Sequence, residues 1–325
     1  VSCLKEDNKA KLFYRETNTM PSWAGSSWYY LRYIDNKNDV ALVDKEKEKI
    51  WSPVDFYVGG AEHATRHLIY ARFWHKFLFD LGLVNYEEPF IRLQNVGLIQ
   101  AEDGRKMSKR YGNVVNPNDV IAEYGADTFR LYEMFIGPFD QPASWNTKNI
   151  AGVERFVDRV YALFDKVYDA NLDNDKVLLN QTIKKVGEDI EDFKFNTAIS
   201  QMMILLNDFE KYDKVSKEDF EKFILILSPF APFITEELWN KLGNKESVYL
   251  ASWPKYDESN LINKNVTFAI QINGKLRGTV EMSLDATKEE VLERVKTEDF
   301  YIRNIDGKEI KNVIFVKNKL LNILI

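Results

Sequence analysis

The residues best suited to chemistry in this chain form one basic loop, which runs from Glu102 to Asn113. Its sequence is Glu-Asp-Gly-Arg-Lys-Met-Ser-Lys-Arg-Tyr-Gly-Asn, which places four cations around Met107 and Ser108. A mobile cationic loop at the end of a strand can close over a polyphosphate and neutralise the charge that spreads during phosphoryl or nucleotidyl transfer. Two lysines three residues apart, Lys106 and Lys109, can bracket one phosphate cluster, with the Ser108 hydroxyl as a further donor. The same residues also fit a solvated basic turn, or a patch that binds any nucleic acid.

The segments on either side of this loop must position it. Before it, the apolar run Val96-Gly-Leu-Ile99 predicts a buried strand, and Asp103-Gly104 predicts a turn. Behind it, Asn118 to Tyr124 and Asp127 to Ile136 predict two helices, with Asp127 as the cap of the second. The expected core positions of that second helix are Phe129, Leu131, Tyr132, Met134 and Phe135.

A second cluster of candidate residues follows a strand predicted over Val54 to Val58. Gly59-Gly60 predicts a turn, and Ala61 to Leu81 predicts a helix that Gly82 ends. Strand, glycine turn and helix make half of a nucleotide-binding α/β unit, because the glycines let a ligand approach the backbone and a helix N-terminus favours an anion. Glu62 would lie in the first helical turn, where it can accept hydrogen bonds from ribose hydroxyls.

Two histidines of this predicted helix, His63 and His67, are four residues apart and would share one face. Three interpretations stay open. They can be metal ligands together with Glu62, with His75 as a third candidate on spacing; they can be hydrogen-bonded core histidines; or they can line a substrate pocket.

The basic loop also carries a family resemblance. Lys106-Met-Ser-Lys-Arg110 resembles the KMSKS signature of class I aminoacyl-tRNA synthetases, and the flanks Asp103-Gly-Arg and Gly112-Asn-Val-Val-Asn-Pro117 extend the match. Arg110 stands where that family usually has serine, but both lysines are kept. The resemblance implies ATP as substrate with Mg²⁺ and no protein-bound metal. It places four residues at ATP, with the lysines as catalytic groups: Lys106, Met107, Ser108 and Lys109.

The segment Gly59-Gly-Ala-Glu-His-Ala-Thr-Arg-His-Leu-Ile-Tyr-Ala-Arg-Phe73 is similar to the leucyl-tRNA synthetase version of its motif. Isoleucyl and valyl relatives generally carry an aspartate and an Arg-Gly-Trp pattern here, which this sequence lacks. The resemblance implies that the ATP site includes Gly59, Gly60, Glu62 and His63. It also implies that His63 and His67 shape the adenylate and leucine site.

The aromatic segment from Met20 to Tyr33 has two interpretations. Its residues can be core plus a helix start capped by Ser26 or Ser27, or they can form a concave pocket wall. The segment resembles one that contributes to the leucine pocket of leucyl-tRNA synthetases. That resemblance places Trp23, Ser26 and Tyr29 at the amino acid.

The middle of the chain, from Ile150 to about Leu242, has a helical period and predicts a bundle. Residues 151–263 carry fourteen cations against twenty-one anions, so this bundle is a poor general phosphate binder. It resembles the anticodon-binding domain of the family. The first predicted apolar stripe comprises Val153, Phe156, Val157, Val160, Tyr161 and Phe164. Further predicted helices are Asn196 to Phe209, Phe220 to Leu227, and one that starts at Pro232.

The C-terminal residues predict a small ββαββ domain. A hairpin turns at Asn273-Gly274, a capping box at Thr287 begins a helix, and the second strand pair is Ile310 to Val316 with Leu320 to Ile325. The domain resembles the C-terminal appendage of leucyl-tRNA synthetases, which contacts the tRNA body. The candidate tRNA contacts, which can equally be exposed hairpin charges, are Lys275, Arg277, Lys317 and Lys319.

Composition limits the classes of protein to which this sequence can belong. The chain has 325 residues with 45% hydrophobic and 14% aromatic content, which suffices for several domains. The net charge of −6 argues against nonspecific coating of nucleic acid, though not against a structured RNA partner. One cysteine, Cys3, excludes an internal disulfide and fits a reducing cytoplasm, and no apolar run is long enough to predict a membrane span. Residues 1–11 predict a polar connecting tail and residues 35–49 a charged surface loop.

The expected fold is therefore multi-domain. It comprises an α/β Rossmann-type second half of a class I catalytic domain over 1–149, an all-α anticodon-binding-type bundle over 150–257, and a small α+β tRNA-contacting domain over 258–325. The resemblance implies ATP-dependent activation of leucine to leucyl-adenylate and its transfer to tRNA(Leu) in the cytoplasm. The alternative is a tRNA-binding protein derived from a synthetase and devoid of catalysis.

Part of the family pattern is missing from the sequence. There is no His-x-Gly-His motif and no editing domain, and Val1 in place of Met predicts a cut or processed start. The chain is expected to need the N-terminal half of the catalytic domain as a partner, in cis or as a separate chain, and to be inactive without it.

Overall fold

The computed structural model describes residues 3–6, 9–12, 23, 25–170, 172, 176–261, 265–305 and 307–325. The chain divides into two compact units: the first comprises Val1–Val120 and Tyr132–Asn149, and the second comprises Ile121–Leu131 and Ile150–Ile325. Among the described residues, no helix combines the length and apolar character needed to cross a membrane.

Helices and strands are numbered in chain order. The strands are β1 (Cys3–Glu6), β2 (Lys9–Leu12), β3 (Val54–Gly60), β4 (Phe90–Val96), β5 (Ile99–Gln100), β6 (Ala143–Ser144), β7 (Val167–Tyr168), β8 (Val215–Ser216), β9 (Asn265–Ile272), β10 (Lys275–Ser283), β11 (Asn312–Val316) and β12 (Leu320–Leu324). The α-helices are α1 (Tyr29–Ile34), α2 (Lys45–Trp51), α3 (His67–Asp80), α4 (Pro117–Tyr124), α5 (Ala126–Phe135), α6 (Thr147–Leu163), α7 (Val177–Glu191), α8 (Phe195–Phe209), α9 (Lys217–Leu227), α10 (Pro232–Lys241), α11 (Lys288–Lys296) and α12 (Asp299–Ile305).

The centre of the first unit is a βαβ crossover in which α3 connects the parallel strands β3 and β4. The strand predicted over Val54 to Val58 is confirmed and extends to Gly60. In the hydrophobic core of this crossover, Tyr30 and Leu31 of α1 pack against Ala71 and Leu78 of α3. This arrangement places the end of β3 next to the first turns that follow it.

The helix predicted from Ala61 to Leu81 is wrong as a single element. A 3₁₀ helix covers Ala61–Thr65, Arg66 leaves helical geometry with φ −128° and ψ −100°, and α3 begins at His67. His63 and His67 therefore do not share one helical face, and the α-helix N-terminus is not at the glycine turn.

The strand predicted over Val96 to Ile99 is also wrong, because β4 ends at Val96 and β5 contains only Ile99–Gln100. Gly97, which lies between the two strands, has no room for a side chain. A Cβ atom there would overlap the backbone carbonyl of Gln141, and the Gly97 N–H donates to the Phe139 carbonyl at 2.8 Å. The following pair, β5 with β6, continues in parallel register, and the basic loop leaves from it.

Two segments predicted as a tail and a loop contain secondary structure among their described residues. The expected tail over 1–11 contains β1 and most of β2, which pair antiparallel. Within the expected charged loop 35–49, α2 begins after Asp44, whose carboxylate accepts the N–H groups of Glu46 and Lys47. Glu48 of this helix is fully buried. Charge alone did not reveal that one side of the segment packs inward.

The two helices predicted behind the loop are confirmed as α4 and α5 within one or two residues, but Asp127 is not the cap of α5. Its carboxylate accepts the N–H groups of Ile234 at 2.6 Å and Phe233 at 3.2 Å. Asp127 thus caps α10, whose own N-cap residue Ala231 provides no side-chain acceptor. The pKa of Asp127 is raised, chiefly because burial removes its carboxylate from water.

The second unit contains the predicted helices of the bundle. Pro232 at the first turn of α10 and the extent of α8 are as expected. One stripe position is wrong: Tyr161 is 45% exposed, and Leu163 of α6 is buried instead. The C-terminal sheet has strand order β10-β9-β12-β11 with β9 and β12 parallel.

Local predictions for the C-terminal sheet hold. The β9–β10 hairpin turns at Asn273-Gly274 with φ of 50° and 76°, and Thr287 forms the predicted capping box of α11. The expected ββαββ order is wrong because a second helix, α12, follows α11. The order is therefore ββααββ.

Candidate active site

A cavity of about 580 Å³ lies in the first unit, along β3 from Val54 to Gly59. Its Gly59 end is at the carboxyl end of the strand, where ligands bind in open α/β sheets. Aromatic rings, two histidines and a few small groups line it. They are Ser26, Tyr29, Tyr30, Val54, Phe56, Tyr57, Val58, Gly59, His63, His67, Tyr70 and Phe90.

His67 is the most constrained side chain of the cavity. Its Nε2 is 2.6 Å from the carbonyl oxygen of Ser26, and its Nδ1 is 2.8 Å from the hydroxyl of Tyr57. A carbonyl can only accept, so Nε2 carries a proton; in the neutral ring, Nδ1 therefore accepts from the Tyr57 hydroxyl. The Tyr57 and His67 rings stack at 5.4 Å with an angle of 17°. His67 therefore has a fixed tautomer and a fixed ring orientation.

His63 has a different environment. Its ring is perpendicular to that of His67, with centroids 6.3 Å apart. Its Nδ1 is buried and has no hydrogen-bond partner among the described residues. A bound ligand could therefore use this nitrogen, whereas both nitrogens of His67 are already engaged.

Glu62 and Gly60 lie just beyond the cavity lining. The carboxylate of Glu62 folds back over Gly60, so that a Cβ atom at Gly60 would overlap it. Glu62 itself is exposed. An exposed carboxylate beside a bare stretch of backbone suits hydroxyl recognition, as the sequence predicts.

The predicted amino-acid residues are only partly brought to the cavity. Ser26 and Tyr29 line it, but Trp23 does not; its ring packs instead on Tyr70, a lining residue, at 4.7 Å. The prediction that Ser26 or Ser27 caps a helix is wrong, because α1 begins after Trp28 without a side-chain cap. Residues 20–22 and 24 of this segment lie outside the described residues.

Tyr57 and Tyr70 are cavity residues that sequence reasoning missed. The signal for Tyr57 was its place in a predicted strand two residues before the glycine turn, which gives a side chain at the ligand end of the strand. Burial raises the pKa of Tyr57 to about 12, so its hydroxyl remains a protonated donor at neutral pH. Burial likewise raises the pKa of Tyr29.

The basic loop exposes both of its lysines. The ammonium groups of Lys106 and Lys109 are exposed and form no ion pair or hydrogen bond in the part of the chain that the structure describes. Arg105 differs from them. It pairs with Asp103 at 2.5 Å, lies 4.9 Å from the centroid of Tyr111, and depresses the pKa of Asp103. Arg105 therefore holds the loop together and is not a free phosphate ligand.

The predicted donor Ser108 also has a structural contact. Its Oγ accepts the N–H of Arg110 at 3.2 Å and thereby caps the 3₁₀ helix Lys109–Tyr111. The hydroxyl proton remains available to a ligand, because the cap uses only the oxygen lone pair. Neither Ser108 nor Met107 lines the cavity at β3.

The four candidate tRNA contacts lie at the ends of the C-terminal strands and are exposed. Lys275 and Arg277 belong to β10, and Lys319 lies in the turn before β12. Lys317 pairs with Asp285 at 3.1 Å across two exposed side chains, an interaction of little energetic weight.

The metal interpretation of the histidines gains no support from geometry. Among the described residues, no three His, Cys, Asp or Glu side chains are grouped so that they could hold a metal ion. His67 in particular has both ring nitrogens occupied by Ser26 and Tyr57.

Comparisons with known proteins agree on one family. The family described as "tRNA synthetases class I (I, L, M and V)" matches residues 3–141, and the "Anticodon-binding domain of tRNA ligase" matches residues 177–292. A LeuRS of Agrobacterium radiobacter, solved as a ternary complex with tRNA and LeuAMS, is 32% identical with a TM-score of 0.73; the match covers 99% of this chain and 44% of that chain. A methionyl-tRNA synthetase of Mycobacterium tuberculosis in complex with methionyl-adenylate is 20% identical with a TM-score of 0.47, covering 62% of this chain and 47% of that chain. This chain therefore spans less than half the length of either relative.

Proposed function

The chain belongs to the class I tRNA synthetases, with a catalytic-domain segment and an anticodon-binding domain, and we propose that it is part of a leucine–tRNA ligase. The reaction would join leucine to ATP as leucyl-adenylate and then transfer the leucyl group to tRNA(Leu). The chain spans 44% of its LeuRS relative, so this activity is assigned to the whole enzyme of which the chain forms a part.

One observation carries the proposal: an aromatic cavity along β3 in which His67 is held between Tyr57 and Ser26. Apolar walls with a few oriented polar groups are what a branched aliphatic side chain needs. Identity of 32% with a LeuRS over 99% of this chain points to the same amino acid.

In the first step, an oxygen of the leucine carboxylate would attack the α-phosphorus of ATP, and the bond to the β-phosphate would break as pyrophosphate leaves. The unpaired ammonium groups of Lys106 and Lys109 would neutralise the charge that accumulates on the leaving phosphates. Glu62 would hold the ribose hydroxyls, and His63 would meet the adenylate through its unpartnered Nδ1. Mg²⁺ would enter bound to the ATP phosphates and withdraw charge from them.

The proposed partner is the N-terminal half of the catalytic domain. Parallel strands are normally covered on both faces, yet apolar side chains of β3 and β4 are exposed, with Val58 at 48% and Ile91 at 66%. On α3, Ile69 and Phe73 are 59% and 73% exposed, one turn apart. Apolar surface of this extent on a parallel pair is typical of an interface.

We also propose the functional division into a catalytic segment over 1–149, an anticodon-binding-type bundle over 150–257, and a tRNA-contacting domain over 258–325. In the last of these, Lys275, Arg277, Lys317 and Lys319 would meet tRNA phosphates. Their position at strand ends of an exposed sheet supports this assignment.

The decisive experiment is ATP–pyrophosphate exchange with each of the twenty amino acids. It is run with this chain alone and with the chain supplied with the N-terminal catalytic half. Exchange that requires leucine and both parts supports the proposal. Exchange with another amino acid would overturn the leucine assignment. No exchange by the reconstituted protein, combined with intact tRNA binding, would instead favour the alternative of a non-catalytic tRNA-binding protein.

A further inference from the structure

The basic loop is closed by its own side chains. Arg105 bridges the two ends of the loop: its guanidinium pairs with Asp103 and also lies over the ring of Tyr111. The Arg105 N–H donates to Asp103 Oδ1 at 3.0 Å as well. These contacts fix the outer path of the loop. They do not touch the backbone between the two lysines.

A second set of contacts, made by Asn113, involves the backbone between the two lysines. The Oδ1 of Asn113 accepts the N–H of Ser108 at 2.8 Å, and its Nδ2 lies 3.4 Å from the carbonyl oxygen of Lys106. The two contacted residues flank Met107. One amide therefore binds the main chain on both sides of Met107, within the segment that separates Lys106 from Lys109.

Local geometry directs Asn113 to this position. Gly112 ends the 3₁₀ helix Lys109–Tyr111 with φ +63°, the left-handed conformation that glycine adopts without strain. The chain turns back there, so the next side chain points towards the start of the loop. Ser108, held by Asn113, is itself the cap of that helix. The amide thus holds both the Lys106 backbone and the turn that carries Lys109.

We propose that Asn113 is a positioning residue that fixes the separation of Lys106 and Lys109, so that both ammonium groups meet one polyphosphate. The inference rests on the proposed function, because it takes ATP as the ligand of the loop. An amide is suited to this task since it accepts at one atom and donates at the other. A carboxylate keeps only the accepting half, and alanine keeps neither.

The first test needs no activity and uses this chain. Trypsin cleavage after Lys106, Lys109 and Arg110 is followed by mass spectrometry, which resolves these sites among the 44 lysines and arginines. We expect Asn113→Ala to raise cleavage at the three sites about fivefold or more, because the hydrogen bonds of Asn113 to Ser108, Lys106 and the Asp103 carboxylate, which oppose local opening, are lost. Asn113→Asp should give an intermediate rate.

Asn116→Ala is the matched control. The Oδ1 of Asn116 accepts the N–H of Asn118 at 3.2 Å at the start of α4, so the variant loses a comparable local bond outside the loop. Cleavage at the three loop sites should not change in this variant. Unchanged cleavage in Asn113→Ala, or equal increases in both variants, would overturn the assigned role of Asn113.

The second test uses the complete enzyme in ATP–pyrophosphate exchange. With the lysines misplaced, we expect Asn113→Ala to raise the KM for ATP and lower kcat by about 10- to 100-fold, with the KM for leucine unchanged. A variant that merely contained inactive protein would lose kcat without a change in either KM.

An unchanged KM for ATP together with faster trypsin cleavage would show that Asn113 holds the loop but does not position the lysines, and would overturn the proposal. Failure of the proposed function has a different signature: Lys109→Ala would leave exchange intact, while the trypsin result on Asn113 would still stand.

Discussion

His67 Nε2 donates to the main-chain carbonyl of Ser26, 41 residues earlier in the chain, at a distance of 2.6 Å. The same ring accepts from Tyr57 at Nδ1. One histidine thus joins the loop before α1, the middle of β3 and the start of α3, which are three of the elements that line the cavity. A histidine so constrained fixes the position of a pocket wall.

The first prediction concerns Tyr57. Tyr57→Phe removes the hydroxyl that fixes His67, and a neutral hydrogen bond contributes about 0.5 to 1.5 kcal/mol. We therefore expect the KM for leucine in pyrophosphate exchange by the complete enzyme to rise about two- to tenfold. The matched control is Tyr33→Phe, because Tyr33 is 77% exposed and does not line the cavity. Equal effects of the two variants would contradict the role given to Tyr57.

The second prediction concerns the lysine loop. Lys109→Ala should lower the rate of adenylate formation by about two orders of magnitude, because the positive charge acts where negative charge develops. Pyrophosphate exchange measures this rate. Lys37→Ala, which removes an exposed lysine of the charged segment before α2, is the control and should leave exchange unchanged. Full exchange activity in the Lys109 variant would refute the catalytic assignment.

The third prediction concerns the capping of α10 by Asp127. Asp127→Ala leaves the N–H groups of Phe233 and Ile234 without their acceptor in a partly buried setting, which should destabilise this region by about 2 kcal/mol. Amide hydrogen exchange is the direct measurement, and protection should fall at those two residues. Asp119→Ala, an exposed aspartate in the first turn of α4, is the control. Retained protection in the Asp127 variant would exclude the capping role.

The fourth prediction concerns acid stability. A hydrogen bond from Lys47 lowers the pKa of Asp35 to about 2, and one from Arg72 lowers the pKa of Glu88 to about 2. Their ordinary values are 3.8 and 4.5. Because both folded-state pKa values are depressed, the stabilisation is complete above the ordinary values and is lost as pH falls from about 4.5 to about 2.

Thermal unfolding followed by circular dichroism between pH 6 and pH 2 measures this effect. The midpoint should fall through that window, and less steeply in Asp35→Asn and Glu88→Gln. Asp39→Asn, which removes an exposed carboxylate near Asp35, should keep the full slope. If the Asp35 and Glu88 variants were as acid-sensitive as the parent chain, the two ion pairs would not be the cause.

Much of the structure follows from the sequence where the determining contacts are short in range. The β9–β10 turn at Asn273-Gly274 and the capping box at Thr287 depend on residues at most three positions apart, and both are confirmed. The strand β3 and the helix start at Pro232 also depend on residues that are close in sequence. The order of residues around Lys106 likewise carried the family assignment, which the matches to residues 3–141 and 177–292 confirm.

Tertiary structure alone decided the contacts between residues distant in sequence. Asp127 has the residue type and position of a local cap, yet it caps a helix 106 residues later because that helix end lies beside it in a partly buried setting. Gly97 lies where the predicted strand is interrupted, and a second segment passes it too closely for any side chain. The two histidines four residues apart lose their common face at Arg66, and only packing against Tyr57 and Ser26 fixed the orientation of His67. Periodicity and turn chemistry encode bonds between neighbours, whereas the choice of a distant partner depends on which surfaces are excluded from water together.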